Sequence, residues 1–172
     1  FYSEFGTRRR YSSENQDRVI ADLIKFGKGH LLGSSNVYYS MIHNLTPMGT
    51  VAHEWYMLHA ALFGYVMANQ MSSEAWVDVY QGNLGIALPD TFTTETFLKT
   101  FSTKYAKLYD GVRQDSGDPI AFLEKVSIHY QSLRIDPTSK ICMFSDNINS
   151  IDKVKNINTA CANVMIPRYG IG

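Results

Sequence analysis

The sequence predicts a parallel α/β fold, and three observations carry that expectation. Short apolar runs alternate with longer helix-like stretches along the chain, the pattern of repeated βα units. Polar and glycine clusters fall directly after the strand-like runs, where parallel sheets collect their functional groups. The 172 residues are 45% hydrophobic and 13% aromatic, enough for one domain with a real core and unlike a disordered chain. A βα barrel and an open doubly wound sheet both satisfy this pattern.

The elements are expected in the following order. Ser12 or Ser13 caps a helix through residues 22–25, with Val19, Ile20, Leu23 and Ile24 on one face. Leu31 and Leu32 form a short strand ended by Gly33, and residues 37–43 form a second helix. After Pro47, residues 48–51 lead into a long helix carrying Trp55, Leu58, Ala61, Leu62 and Tyr65. Ser72 or Ser73 starts another helix through residues 75–80. Residues 84–88 read as a strand and 94–102 as a helix. Val112 marks a short strand. Asp118-Pro119 pairs an N-cap with a proline at the first helical position, so residues 120–133 are helical. A strand over 141–144, a helix over 151–160 and a last strand over 164–166 complete the list.

Sixteen basic residues balance sixteen acidic ones, so nothing points to nucleic acid or an anionic membrane as a partner. No apolar run reaches the length of a membrane span. Cys142 and Cys161 do not make a disulfide framework and read as buried thiols. These features predict a cytoplasmic protein. The opening at Phe1 and the end on a glycine-rich turn suggest a segment of a longer chain, with parts missing on both sides.

Four stretches carry candidate chemistry. In Phe5-Gly6-Thr7-Arg8-Arg9-Arg10, three guanidinium groups follow a glycine. The run reads either as a solvated basic turn or as an anion site, with Phe5 able to stack on a flat ring. Gly49–Trp55 places His53 in the first turn of a helix, as a structural hydrogen-bonder or as a nucleophile or base. Glu54 and His59 do not stand at zinc-ligand spacing from it. Gly111–Pro119 packs Arg113, Asp115, Ser116 and Asp118 between a strand and a helix start. It suits a polyol phosphate with its Mg²⁺, or equally an ordinary capped turn. Tyr169-Gly170-Ile171-Gly172 offers alternating glycines after a strand, which would let backbone amides approach a phosphate.

Taken together, FGTRRRYS, GSSN, LTPMGTVAHEW, GIALPDTFTTETFL, GVRQDSGDP, FSDN and YGIG resemble the nicotinate phosphoribosyltransferase family in order and approximate spacing, from Phe5 to Gly172. The resemblance implies part of an incomplete βα (TIM-like) barrel of the type II phosphoribosyltransferases, in a homodimer with shared active sites. It implies an enzyme joining nicotinate to phosphoribosyl pyrophosphate, giving nicotinate mononucleotide and pyrophosphate in NAD salvage. Mg²⁺ is the implied cofactor and ATP the co-substrate, coupled through a phosphohistidine. By resemblance, His53 is the phosphorylated histidine and Phe5 the aromatic that stacks on the pyridine. Arg8 lies near nicotinate and pyrophosphate, and Ser35 contacts substrate. Arg113 and Asp115 orient the pyridine acid, ribose and pyrophosphate, Asp115 also reaching the metal through water. Asp90 is a barrel carboxylate near the substrate and Asp146 a ribose-hydroxyl acceptor. Gly170 and Gly172 cradle the 5′-phosphate. The family usually has Gly-Thr-Ser-Asn where this chain has Gly33-Ser34-Ser35-Asn36, and Pro167 and Arg168 replace a more apolar lead-in.

Two other readings compete. A nicotinamide- or quinolinate-using enzyme on the same fold is the first. Nicotinamide enzymes tend to carry an acid in the segment matching residues 33–36, which has none here. An inactive fragment or binding module is the second.

Overall fold

A computed structural model describes all 172 residues. Strand β1 (Tyr2–Glu4) opens the chain, where Tyr-Ser-Glu is too short to show an alternation. A 3-10 turn over Thr7–Arg9 follows, closed by the Arg9 N–H to the Gly6 carbonyl at 2.9 Å. Helix α1 (Ser13–Phe26) begins at Ser12, whose Oγ accepts from Asn15 N–H at 3.0 Å, which decides between the two candidate caps. Ile20 is buried, whereas Val19 and Ile24 are exposed, so the expected apolar face is only partly covered.

Strand β2 (Leu31–Ser34) runs through Gly33 instead of ending there. A Cβ at Gly33 would lie 1.9 Å from the Thr46 carbonyl oxygen. The glycine permits a close strand approach and does not terminate anything. Helix α2 (Val37–Ile42) is capped by Asn36 Oδ1, which accepts from Tyr39 N–H at 3.2 Å. The two-residue strand β3 (Thr46–Pro47) was not anticipated. Its proline is tolerated because an edge strand has no use for that N–H.

The expected long helix breaks at Gly64 (φ +79°, ψ 158°) into α3 (His53–Phe63) and α4 (Tyr65–Tyr80). Ser72 and Ser73 start nothing: they lie buried inside α4, with each hydroxyl donating to the Asn69 carbonyl at 3.0 and 2.8 Å. Strand β4 (Ile86–Ala87) is the regular part of a buried run. The helix expected over 94–102 is α5 (Thr94–Thr100), ending two residues early, and a further helix, α6 (Thr103–Leu108), follows where none was expected. Phe101 falls between them, 1% exposed, with the rings of Phe97, Tyr109 and Tyr130 around it. Burying that ring outweighs continuing the helix.

Strand β5 (Gly111–Gln114) leads to α7 (Pro119–Ser132), where Asp118 Oδ1 accepts from Ile120 and Ala121 N–H at 3.0 and 2.8 Å. Strand β6 (Ile141–Phe144) matches its expected bounds, and Ser150 caps α8 (Ile151–Cys161). Strand β7 (Ile166–Ile171) begins two residues late, because the N–H groups of Val164 and Met165 turn back to the Cys161 carbonyl. Tyr169, Gly170 and Ile171 are therefore within the strand and not in a turn after it.

The chain forms two compact units: residues 1–49 with 168–172, and residues 50–167. In the first, the strand order is β3-β2-β1-β7; in the second it is β7-β6-β5-β4, the start of β7 joining through Ile166 N–H to the Lys140 carbonyl. The ladders β1–β2, β1–β7, β2–β3, β4–β5 and β5–β6 are all parallel. Both units are thus α/β, as the alternation predicts. No helix is long and apolar enough to cross a membrane.

Close strand approach yields a stability test. A Cβ at Gly111 would stand 2.0 Å from the Ile141 carbonyl oxygen, whereas one at Gly49 would meet nothing within 4 Å. Gly111→Ala is expected to destabilise the intact protein by about 1–3 kcal/mol. Gly49→Ala should stay within about 0.5 kcal/mol of the parent. Urea unfolding of both variants checks this, and equal midpoints would refute it.

Candidate active site

In the second unit the chemistry gathers at the carboxyl ends of β4, β5 and β6 and at the start of α3. His53 is the first residue of α3, and its Nε2 lies 3.0 Å from Asp90 Oδ1. Two contacts hold the helix start against the β4 segment. Val51 N–H donates to the Ile86 carbonyl at 2.9 Å, and the Tyr56 hydroxyl accepts from Leu88 N–H at 3.4 Å. Burial pushes the Tyr56 phenol far above its ordinary range, so it stays neutral in this place. His53 and Asp90, distant in sequence, are brought together by these bonds.

Arg113, the third residue of β5, forms a three-way fork. Nε donates to Ser145 Oγ at 2.6 Å, Nη1 to Thr50 Oγ1 at 3.0 Å, and Nη2 to Asp115 Oδ1 at 2.6 Å. The Ser145 hydroxyl in turn donates a hydrogen bond to Asp115 Oδ1 at 2.7 Å. The Arg113 and Asp115 side chains are 19% and 20% exposed, sheltered enough for the pair to outweigh a surface ion pair. With Oδ1 engaged twice, Asp115 Oδ2 faces His53 Nε2 at 4.0 Å. Ser116 donates to Asp90 Oδ2, and Gln114 Nε2 holds the Ser116 and Gly117 carbonyls at 3.0 and 2.9 Å. Asp146 follows β6; its carboxylate makes no hydrogen bond, while its carbonyl accepts from Lys153 Nζ at 2.9 Å.

No group of three or more His, Cys, Asp or Glu side chains is placed to hold a metal ion alone. The donor set fits Mg²⁺ in a narrower way. Asp115 Oδ2 is a carboxylate oxygen not committed to the Arg113 fork, and Mg²⁺ is commonly held by one or two carboxylates plus water and substrate phosphates.

The first unit carries the remaining expected residues. Phe5 N–H donates to the Ile171 carbonyl at 2.6 Å, and a Cβ on Gly170 would lie 2.7 Å from the Phe5 ring. A Cβ on Gly172 would come within 3.0 Å of the Phe5 carbonyl oxygen. Both glycines therefore make room for Phe5, a constraint that the sequence reading, with its phosphate cradle, did not contain. Arg8 is exposed on the 3-10 turn. A cavity of about 480 Å³ beside it is lined by Glu4, Gly6, Arg9, Arg10, Gln16 and Gly172 among others. Ser35 presents an exposed side chain, its N–H bound to the Glu4 carbonyl at 2.9 Å.

The model of the "Nicotinate phosphoribosyltransferase (NAPRTase) family" matches residues 2–172. The chain belongs to the nicotinate phosphoribosyltransferase family. It is 50% identical over 171 residues to a nicotinate phosphoribosyltransferase of Desulforapulum autotrophicum, covering 99% of this chain and 44% of that protein. It is also 50% identical over 170 residues to one of Chromohalobacter salexigens, covering 99% and 43%. The crystal structure of the Porphyromonas gingivalis enzyme superposes with a TM-score of 0.94 at 43% identity, over 99% of this chain and 44% of that one. The chain thus spans under half the length of the relatives it matches. The expected fold, part of the barrel of a type II phosphoribosyltransferase, holds.

Three structural partners of the site carry no signal in the sequence. Thr50 and Ser145 are unremarkable small hydroxyl residues whose importance arises only when Arg113 reaches them. Glu4 is the third. Residues 33–36 hold no acid, yet the fold lays Glu4 against Ser34, with Ser34 Oγ donating to Glu4 Oε2 at 2.5 Å. Because internal donors engage both Glu4 oxygens, it is not an acid presented to a ligand.

The Arg113 fork predicts unequal sensitivity of two neighbours. Ser145→Ala removes the acceptor of Arg113 Nε and a donor to Asp115, and should cost about 1–3 kcal/mol. Asp146→Ala should change stability by less than about 0.5 kcal/mol. Denaturant titration of the intact protein distinguishes them; a Ser145→Ala variant as stable as the parent would remove the fork's structural role.

Proposed function

We propose that the whole protein joins nicotinate to phosphoribosyl pyrophosphate, forming nicotinate mononucleotide and pyrophosphate, and couples this to ATP hydrolysis through phosphorylation of His53. The observation that carries the coupling is the Asp90–His53 hydrogen bond at a helix start. A carboxylate acceptor on Nε2 selects the tautomer with its proton there, leaving the Nδ1 lone pair as nucleophile. Attack on the γ-phosphorus of ATP forms an N–P bond as the bond to the ADP oxygen breaks. Asp90 compensates the positive charge that develops on the ring, and Ser116 and Tyr56 keep the carboxylate segment in place. Water later takes the phosphoryl group to phosphate, restoring the imidazole.

In the transfer step, the glycosidic nitrogen bond forms as pyrophosphate leaves the anomeric carbon through a cationic, oxocarbenium-like state. The chain's task is to hold the anions, orient the ribose and exclude water. Phe5 stacks on the pyridine, with Arg8 and Ser35 beside the substrate. Arg113 and Asp115 orient the acid, ribose and pyrophosphate. Asp146, whose carboxylate makes no internal hydrogen bond, accepts from a ribose hydroxyl, and Gly170 and Gly172 lie at the 5′-phosphate. Asp115 would hold Mg²⁺ through water, and the ion would supply neutralisation of the charge on the departing pyrophosphate. The protein works in NAD salvage in the cytoplasm as a homodimer. Free buried thiols at Cys142 and Cys161 suit a reducing compartment, and exposed Leu58, Leu62, Phe63 and Val66 on α3 and α4 suit burial in an assembly.

Two outcomes are expected of the intact protein. Arginine-held carboxylate recognition in a sheltered site is worth roughly 2–5 kcal/mol. Nicotinate should therefore exceed nicotinamide in kcat/KM by at least about two orders of magnitude, and comparable values would reject the acid substrate. Incubation with γ-labelled ATP should leave an acid-labile, base-stable label. His53→Ala should abolish the label and ATP hydrolysis while some phosphoribosyl transfer survives. A label retained in that variant, or found on His30 or His43, would reject the phosphohistidine.

A further inference from the structure

Glu4 is a carboxylate for which neither the motif reading nor the proposed reaction has a use. It ends β1, 5% exposed, and no lysine, arginine or histidine forms an ion pair with it. Its charge is met instead by three donors from three different segments. Gly6 N–H donates to Oε1 at 2.6 Å, Gln16 Nε2 on α1 to the same oxygen at 3.2 Å, and Ser34 Oγ on β2 to Oε2 at 2.5 Å. A buried carboxylate needs such donors, and charge-assisted bonds are about twice as strong as neutral ones.

The bonds continue outward into the arginine turn. Gln16 Nε2 also donates to Thr7 Oγ1 at 2.7 Å, and Gln16 Oε1 accepts from Arg10 Nη1 at 3.0 Å. Asn36 Nδ2 donates to Thr7 Oγ1 at 3.1 Å. Residues 6, 7 and 10 are therefore each tied, directly or through Gln16, to the Glu4 carboxylate. Phe5 and Arg8 lie inside that span, and the Phe5 ring packs so closely on Gly170 that a Cβ there would stand 2.7 Å from it.

We propose that Glu4 is the positioning residue of the aromatic–arginine turn. By accepting the Gly6 N–H it sets the backbone that aims Phe5 and Arg8 at the pyridine acid. This rests on the reading of Phe5 and Arg8 as nicotinate contacts. The role requires an acceptor at Oε1 more than a charge. A glutamine could accept the Gly6 N–H with its carbonyl oxygen and direct its amide at the Ser34 hydroxyl, which can reverse to accept. Alanine supplies neither.

The test compares Glu4→Gln, Glu4→Ala, Phe5→Ala and Arg8→Ala in the intact protein, by steady-state kinetics and by hydrogen exchange of peptides over residues 5–10 and 111–133. Glu4→Ala should raise KM for nicotinate about tenfold or more, with a smaller effect on kcat. It should speed exchange over 5–10 and leave 111–133 unchanged, and Glu4→Gln should restore most of both. If Glu4→Ala fails to fold, Glu4→Asp, one methylene short of the Gly6 N–H, should show the same KM rise. The proposal is overturned if Phe5→Ala raises KM and the Glu4 variants do not, or if Glu4→Gln is as impaired as Glu4→Ala. Unchanged KM in both Phe5→Ala and Arg8→Ala would instead overturn the substrate reading on which it stands.

Discussion

The Arg113 guanidinium is where three separate stretches of the second unit converge. Its three nitrogens reach the segment before α3, the residue after β6 and the residue two positions along its own strand end. A lysine in this place could supply charge but not three directions from one rigid plane. The fork fixes Asp115 with one oxygen committed, so the other is directed toward His53. Thr50, held at the opposite arm, precedes the helix that carries His53, so the histidine's position depends on the same cation.

A second constraint runs through both units: backbones approach where side chains are absent. Gly33 and Gly111 each face a carbonyl oxygen of a neighbouring strand too closely for any Cβ, and Gly170 faces the Phe5 ring. None of the three owes its glycine to a left-handed backbone; Gly64, which does, breaks α3 from α4. Several of the polar groups buried by this packing find partners, some within their own helix and some from distant segments. Ser72 and Ser73 bond back along their helix, and Glu4 collects amide and hydroxyl donors.

Features set by neighbouring residues were legible in the sequence. The cap at Asp118, the Pro119 start and the bounds of β6 each depend on contacts within about one helical turn or on an unbroken apolar run. Errors arose where a distant partner overrode a local preference. Gly33 looked like a strand end because the approach of Thr46 is invisible in sequence. The helix over 94–102 stops at Thr100 because Phe101 is drawn into an aromatic cluster with Tyr109 and Tyr130. Strands β1 and β3 escaped notice because two or three residues, partly polar, carry no period.

The candidate site divides in the same way. The sequence alone determined the family and the residue types available for chemistry: His53 in the first turn of a helix, Asp90, Arg113, Asp115 and Asp146 at or near strand ends, and Phe5 with Arg8 in a glycine turn. Only the tertiary structure decided which of them meet. Asp90 reaches His53 because Val51 and Tyr56 tie α3 to β4, and Ser145 and Thr50 matter because Arg113 ends between them. Glu4, unremarkable in a three-residue strand, became the centre of a hydrogen-bond network for the same reason. Hydrogen bonds act over about 3 Å in space, and residues that far apart can be any distance apart in sequence.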